Sequence, residues 1–254
     1  MSLFENLTTN GLKQQQDRVG GTGFSVLDSG LYNATIKAAY AHTAASGAKA
    51  IVVIATLTGS NLTEPREYRE TFYVTNKLGS NWYLNSNNER VGLKGFNIVN
   101  NLCLVSSGKP LAEQPTEDKV LNLYDAKAGK EIPQSVPVLS ALTGREFIAG
   151  IIKEIHFKQA KNQATGAYED TDETREVNAI ENVFNSKTRC TANEIIVGGT
   201  SGEYKADFIE TWDKANTGKV FDRTKKKGKK ASSTGSNTTN ASAPADSSFD
   251  KLFS

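Results

Sequence analysis

Three consecutive segments between residues 30 and 75 alternate with period two or run β-branched, and a chain patterned this way builds a sheet. Residues 30–43 place Tyr32, Ala34, Ile36, Ala38 and Tyr40 on one face and Asn33, Thr35, Lys37 and Ala39 on the other. This predicts one strand with a single buried side. An Ala45-Ser46-Gly47 turn leads into residues 48–58, where Ile51 and Val53 oppose Val52 and Ile54. Apolar on both faces, this segment is expected to be central and covered. Residues 68–75 alternate most sharply: Tyr68, Glu70, Phe72 and Val74 share one face, and Arg69, Thr71, Tyr73 and Thr75 the other, with Lys77 in phase. One face is expected to bury Phe72 and Val74 and the other to meet solvent.

Beyond the third strand the pattern changes. Residues 76–92 are rich in Asn, Ser and Gly and read as a loop, yet they hold Trp82 and Tyr83 side by side. Residues 93–107 have helical spacing, with Phe96, Val99, Leu102 and Cys103 on one side and Gly108 as the stop. Further strands are expected at 120–124, 131–138, 145–156 and 174–183, and helices at 191–197 and 204–215. Strand, strand, strand, helix, strand is the order of a five-stranded Greek-key barrel of the OB type, whose helix lies between strands three and four. The expected fold is therefore mainly β: an OB-type barrel over 30–218 with extra strands and helices toward its end. Residues 1–29 form a polar N-terminal arm, and 219–254 a basic linker and disordered tail.

The chemistry of most enzyme classes is missing. His42, His156, Cys103 and Cys190 are scattered and make no structural zinc set, and no HExxH, GxSxG or phosphate-binding loop occurs. The carboxylates at 169–176 are interleaved with Thr171 and Thr174, as in a solvated loop. No enzymatic activity and no cofactor are expected. The longest wholly apolar run, residues 50–55, is far too short to span a bilayer, and no signal peptide is apparent, so no membrane is expected as a partner. The two Cys suit buried, reduced thiols in a cytoplasm.

The overall net charge of +2 is an average over unlike parts. Residues 219–230 carry seven basic residues and one acid, a net +6; residues 231–254 carry two acids and one Lys, leaving residues 1–218 at −3. Any basic groove must then be a local face. The face of Arg69, Thr71, Tyr73 and Lys77, followed by Trp82 and Tyr83, has the composition that holds single-stranded nucleic acid: rings for bases to stack on and cations for phosphates. Lys37, Lys49, Arg66, Arg90 and Lys94 lie in segments that could border it. Tyr73 is equally suited to packing on a covering element, a Trp placed like Trp82 is more often a loop anchor packed on its own domain, and solvated Lys and Arg are commonplace.

Several short runs resemble a known family. They are Gly30-Leu-Tyr-Asn-Ala-Thr-Ile-Lys-Ala-Ala-Tyr40, Ala44-Ala45-Ser46-Gly47-Ala48, and Arg69-Glu-Thr-Phe-Tyr-Val-Thr-Asn-Lys77. They continue with Gly95-Phe96-Asn97, Asn101-Leu102-Cys103, Pro137-Val138-Leu139 and Thr174-Arg175-Glu176. Together, over residues 30–215, the chain resembles the single-stranded DNA-binding proteins of tailed bacteriophages. The resemblance implies an OB fold and coating of single strands without sequence preference during replication, recombination and repair, in the cytoplasm of an infected bacterium. It implies that the C-terminal tail recruits a DNA polymerase or helicase; a homo-oligomer is compatible with it. The tail motif transfers only to Asp246, Asp250 and Phe253, and Phe249 and Leu252 join Phe253 in an apolar cluster suited to hydrophobic docking. Two rival readings remain at this stage. One is a virion-associated or other structural protein with a β-barrel core, the other a metal-dependent nuclease or annealing enzyme.

Overall fold

The computed structural model describes residues 26–59, 62–125, 128–163, 165–201 and 203–224. The tail residues Asp246, Phe249, Asp250, Leu252 and Phe253 lie outside the described residues, as does most of the N-terminal arm. The chain is mainly β. Strands β1 (Gly30–Thr43), β2 (Lys49–Thr58) and β3 (Arg66–Tyr73) form an antiparallel meander, close to the segments expected from alternation. A hairpin of β4 (Trp82–Leu84) and β5 (Arg90–Gly92) follows, then helix α1 (Lys94–Ser107). The chain continues through hairpin β6 (Thr116–Asp125) and β7 (Lys130–Leu139), then the long pair β8 (Glu146–Lys161) and β9 (Tyr168–Asn185). Helices α2 (Ala192–Ser201) and α3 (Phe208–Asn216) and strand β10 (Val220–Asp222) complete it. Among the described residues no helix is long and apolar enough to cross a membrane.

β1 organises the sheet. One edge carries β2; the other carries β8 along Gly30–Thr35 and touches β7 at Tyr40↔Val138. β9 lies on the far edge of β8, giving the path β3-β2-β1-β8-β9. β10, from the segment read as a basic linker, runs parallel to β8 beside Lys153, Glu154 and Ile155. Arg223 fixes it there by donating Nε and Nη2 to the buried Glu154 carboxylate at 2.8 and 2.5 Å. The path does not close into a barrel, because β3 and β9 exchange no ladder hydrogen bonds.

Three apolar layers cover the sheet. The inner layer gathers Tyr32, Ile36, Val53, Leu57 and Phe72 against Val99, Leu102 and Cys103 of α1. Outside β8 and β9, Ile148, Ile152 and Phe184 pack under Ile209 and Trp212 of α3. Outside β1 and β2, Tyr40 and Val52 lie beneath Leu123 and Val138 of the β6–β7 hairpin. The expectation that Tyr40 shares a face with Tyr32 and Ile36 is therefore corrected. A β-bulge between Ile36 and Ala38 inserts Lys37 as an extra residue and swaps the faces of everything after it. Ala39 then points inward, and Tyr40 outward.

Candidate nucleic-acid interface

On β3, Phe72 and Val74 beyond its end are buried in the core, whereas Arg69 and Thr71 are exposed and Tyr73 is half-buried. Register places Tyr73 beside Ala50, and Ala50 beside His42 of β1, on the outer face. Arg69 donates Nη2 to the Tyr40 hydroxyl at 2.8 Å. Burial pushes that hydroxyl above its usual range against the pull of Arg69, so Tyr40 stays a neutral acceptor. The guanidinium is thus aimed without losing its charge to a carboxylate, and the bulge that turned Tyr40 outward supplies the aim. Sequence alternation could not show this partner, because nothing in residues 36–38 distinguishes a bulge from a regular strand.

The end of β3 is pinned on three sides. The Lys49 carbonyl accepts from both Val74 and Thr75 N–H groups at 2.9 and 3.1 Å, and the Lys49 N–H donates to Thr75 Oγ1 at 2.9 Å. The first turn of α1 presses on Tyr73: a Cβ at Gly95 would sit 2.4 Å from the Tyr73 carbonyl oxygen. Gly95→Ala is accordingly expected to push α1 off β3 at a cost of about 1–3 kcal/mol, the range for overpacking, read as a lowered midpoint in urea unfolding. An unchanged midpoint would show that this close approach is slack.

Residues 76–92, read as a loop, contain the β4–β5 hairpin. Asn85 nucleates its turn: Oδ1 accepts from Asn87 and Glu89 N–H at 2.9 Å each, and Asn88 takes a φ of 63°. Trp82 pairs with Gly92, Tyr83 with Val91, and Arg90 stacks its guanidinium 4.3 Å from the centre of the Trp82 ring. The hairpin is rooted beside Tyr73, since Leu93 N–H donates to Asn81 O at 2.9 Å and Gly95 follows directly. Arg69 and Tyr73 thus share the outward row of β3, Lys49 begins the neighbouring β2, Lys77 follows β3, and Trp82, Tyr83 and Arg90 lie on a separate two-stranded sheet that comes next in the chain.

The remaining candidates sit differently. Lys37, the bulge residue, is ion-paired with Glu67, and Lys94 with Glu181 of β9 at 2.6 Å. All four side chains are well exposed, so these pairs are weak and open to exchange with a phosphate. Arg66 begins β3, opposite Leu57, at the end away from Tyr73. Among the described residues no three His, Cys, Asp or Glu side chains gather as a metal site. A cavity of about 460 Å³ lies elsewhere, lined by Asn101, Asn182, Thr191, Glu194 and Phe208 among others. One of its two carboxylates, that of Glu194, is already engaged. Glu194 accepts from Thr191 N–H at 2.7 Å and Phe208 N–H at 2.9 Å, tying α2 to the start of α3. Burial opposes its ionisation, but these donors prevail and hold it below the usual carboxylate range.

No family model, curated protein or solved structure matches this chain.

Proposed function

We propose that the protein binds single-stranded DNA without sequence preference, along the outer face of β3 and the β4–β5 hairpin, and performs no covalent chemistry there. One observation carries the reading: Arg69 and Thr71 are exposed and Tyr73 half-buried on alternate outward positions of β3, Glu67 on that row is ion-paired with Lys37, and the Arg90–Trp82 stack lies in the hairpin that follows β3 in the chain. Phosphates are neutralised by Arg69, Lys49 and Lys77, and bases stack on Tyr73 and on Trp82 with its guanidinium. The path β3-β2-β1-β8-β9, with the β4–β5 hairpin, α1 and the β6–β7 hairpin between β3 and β8 in the chain, supports an OB-type fold, the fold that binds oligonucleotides on its second and third strands. The role in phage replication and recombination, and recruitment of a polymerase or helicase by the tail, belong to the same proposal.

Fluorescence tests it cleanly, because the chain has two Trp. Trp212 of α3 is buried against β8 and β9, and Trp82 is half-exposed. Titration with oligo-dT at about 50 mM salt, where phosphate contacts act strongly, is expected to quench emission to saturation. The quench should persist in Trp212→Phe and vanish in Trp82→Phe. Absence of any quench and of any retardation of single-stranded DNA overturns the proposal. Salt-insensitive behaviour with stable homo-oligomers favours the structural-protein reading instead. Deleting residues 231–254 is expected to leave the melting temperature and DNA affinity intact; a large fall in the melting temperature would show that the tail packs on the sheet.

A further inference from the structure

The two ends of the strand path, β3 and β9, are joined by a side chain rather than by a ladder. Glu70 leaves β3 on the inner face. Its Oε2 accepts from the Ile180 N–H of β9 at 2.9 Å and from the Tyr68 hydroxyl at 2.7 Å. Helix α1 lies along the same gap, with Lys94 on Glu181 of β9 and Gly95 on the Tyr73 backbone. One carboxylate therefore stands where a closed barrel would have its last pair of strands hydrogen-bonded.

That carboxylate is largely buried and, among the described residues, makes no ion pair. The groups that face it are few. On β3 there is Tyr68; on α1, Lys94, already held by Glu181 of β9. On β8 there is Glu154, held by Arg223 and His156. The neighbour across β2 is Val53. Burial raises the cost of ionising Glu70 and outweighs the hydrogen bonds from Tyr68 and Ile180 and the pull of Lys94, so its carboxyl is pushed up to about 7.

We propose that Glu70 is a proton-controlled latch on the β3–β9 seam: neutral, it holds the two strands together; ionised, it admits water and lets β3 part from β9. The sign follows from linkage. The closed seam favours the proton, and the opened seam returns Glu70 to the ordinary carboxylate range. Closure is strongest below that range and is lost as pH rises through about 7. Parting would carry Arg69, Thr71 and Tyr73 with β3. This consequence for DNA rests on the function proposed above, whereas the latch itself does not.

Hydrogen exchange on the full chain between pH 5.5 and 8.5, with intrinsic rates divided out, tests the latch. Protection at Ile180 and adjoining β3 and β9 amides is expected to fall by about tenfold or more across this range, a tenfold change per unit of displaced pKa. The β1–β2 ladder should hold. Glu70→Gln keeps an acceptor for Ile180 and never ionises, so its seam should stay protected throughout. Tyr68→Phe removes a donor that favours the ionised form and should move the fall to higher pH. Seam protection that does not change with pH, or a Gln variant that repeats the wild-type fall, overturns the latch. Oligo-dT affinity is measured in parallel. If it falls with the seam, the latch regulates the face. If the seam loosens while affinity holds, regulation is overturned. Absence of binding at every pH overturns the DNA reading and leaves the latch to be judged by exchange.

Discussion

Trp212→Ala is expected to cost about 3–5 kcal/mol, the range for truncating a buried Trp or Phe, and to be the most damaging single truncation outside the inner core. The ring is 5% exposed and meets Phe184 edge-on, centroids 6.3 Å apart at 70°. Its floor is Gly150 of β8, where a Cβ would come within 2.9 Å of the indole. A glycine floor has no side chain that can move into the space, so the cavity persists and the cost lies toward the upper end. At 2–4 °C per kcal/mol for a domain of this size, the melting temperature should drop by roughly 6–20 °C. A loss under about 1 kcal/mol would show that α3 adds little to the fold. DNA binding by the folded variant should be unaffected, because Trp212 lies outside β8 and the proposed interface lies on β3.

The same layer bears on why the proposed interface falls on β3. The outer surface of the sheet is claimed twice over. The β6–β7 hairpin takes β1 and β2 through Tyr40, Val52, Leu123 and Val138, and α3 takes β8 and β9 through Ile148, Ile152 and Phe184. Among the described residues the outward row of β3 stays more open, with Glu67, Arg69 and Thr71 exposed and Tyr73 half-buried. Its residues are polar or amphipathic where those of β1 and β2 are apolar, so the division between covered and open surface follows the sequence strand by strand.

Much of this was legible because it depends on local periodicity. Alternation placed the first three strands, and helical spacing placed α1 with Val99, Leu102 and Cys103 inward. Trp82 and Tyr83 stand out because two large rings in a polar segment lack an obvious core. What escaped depends on features without a period. A bulge costs one residue and leaves no compositional mark, so alternation alone puts Tyr40 on the inner face and does not show its bond to Arg69. The β4–β5 strands are three residues each, too short to alternate, and are held by an Asn turn. Glu70 was placed on the inner face, but its partner on β9 lies 110 positions away, beyond the reach of any local pattern.

The largest functional effect is expected from the rings rather than the cations. Base–aromatic stacking is worth about 1–3 kcal/mol per ring, so Tyr73→Ala/Trp82→Ala should weaken oligo-dT binding by about 2–6 kcal/mol if the two rings act independently. Lys49→Ala and Lys77→Ala should each do less at low salt but leave a distinct signature. Each phosphate contact contributes about 0.7 to the slope of log affinity against log salt on a single strand. Removing a Lys that contacts phosphate should flatten the slope by that amount; removing a ring should lower affinity at every salt concentration and leave the slope alone. Lys37→Ala and Lys94→Ala should flatten it less, since each must first release a carboxylate, Glu67 or Glu181. Arg90→Ala should behave partly as each kind, because its guanidinium both carries charge and covers Trp82 at 4.3 Å. If the ring variants flatten the slope as the Lys variants do, the double ring variant has dislodged the strand's phosphates as well. Stacking on Tyr73 and Trp82 is then not the separate source of affinity that the outward row of β3 implies.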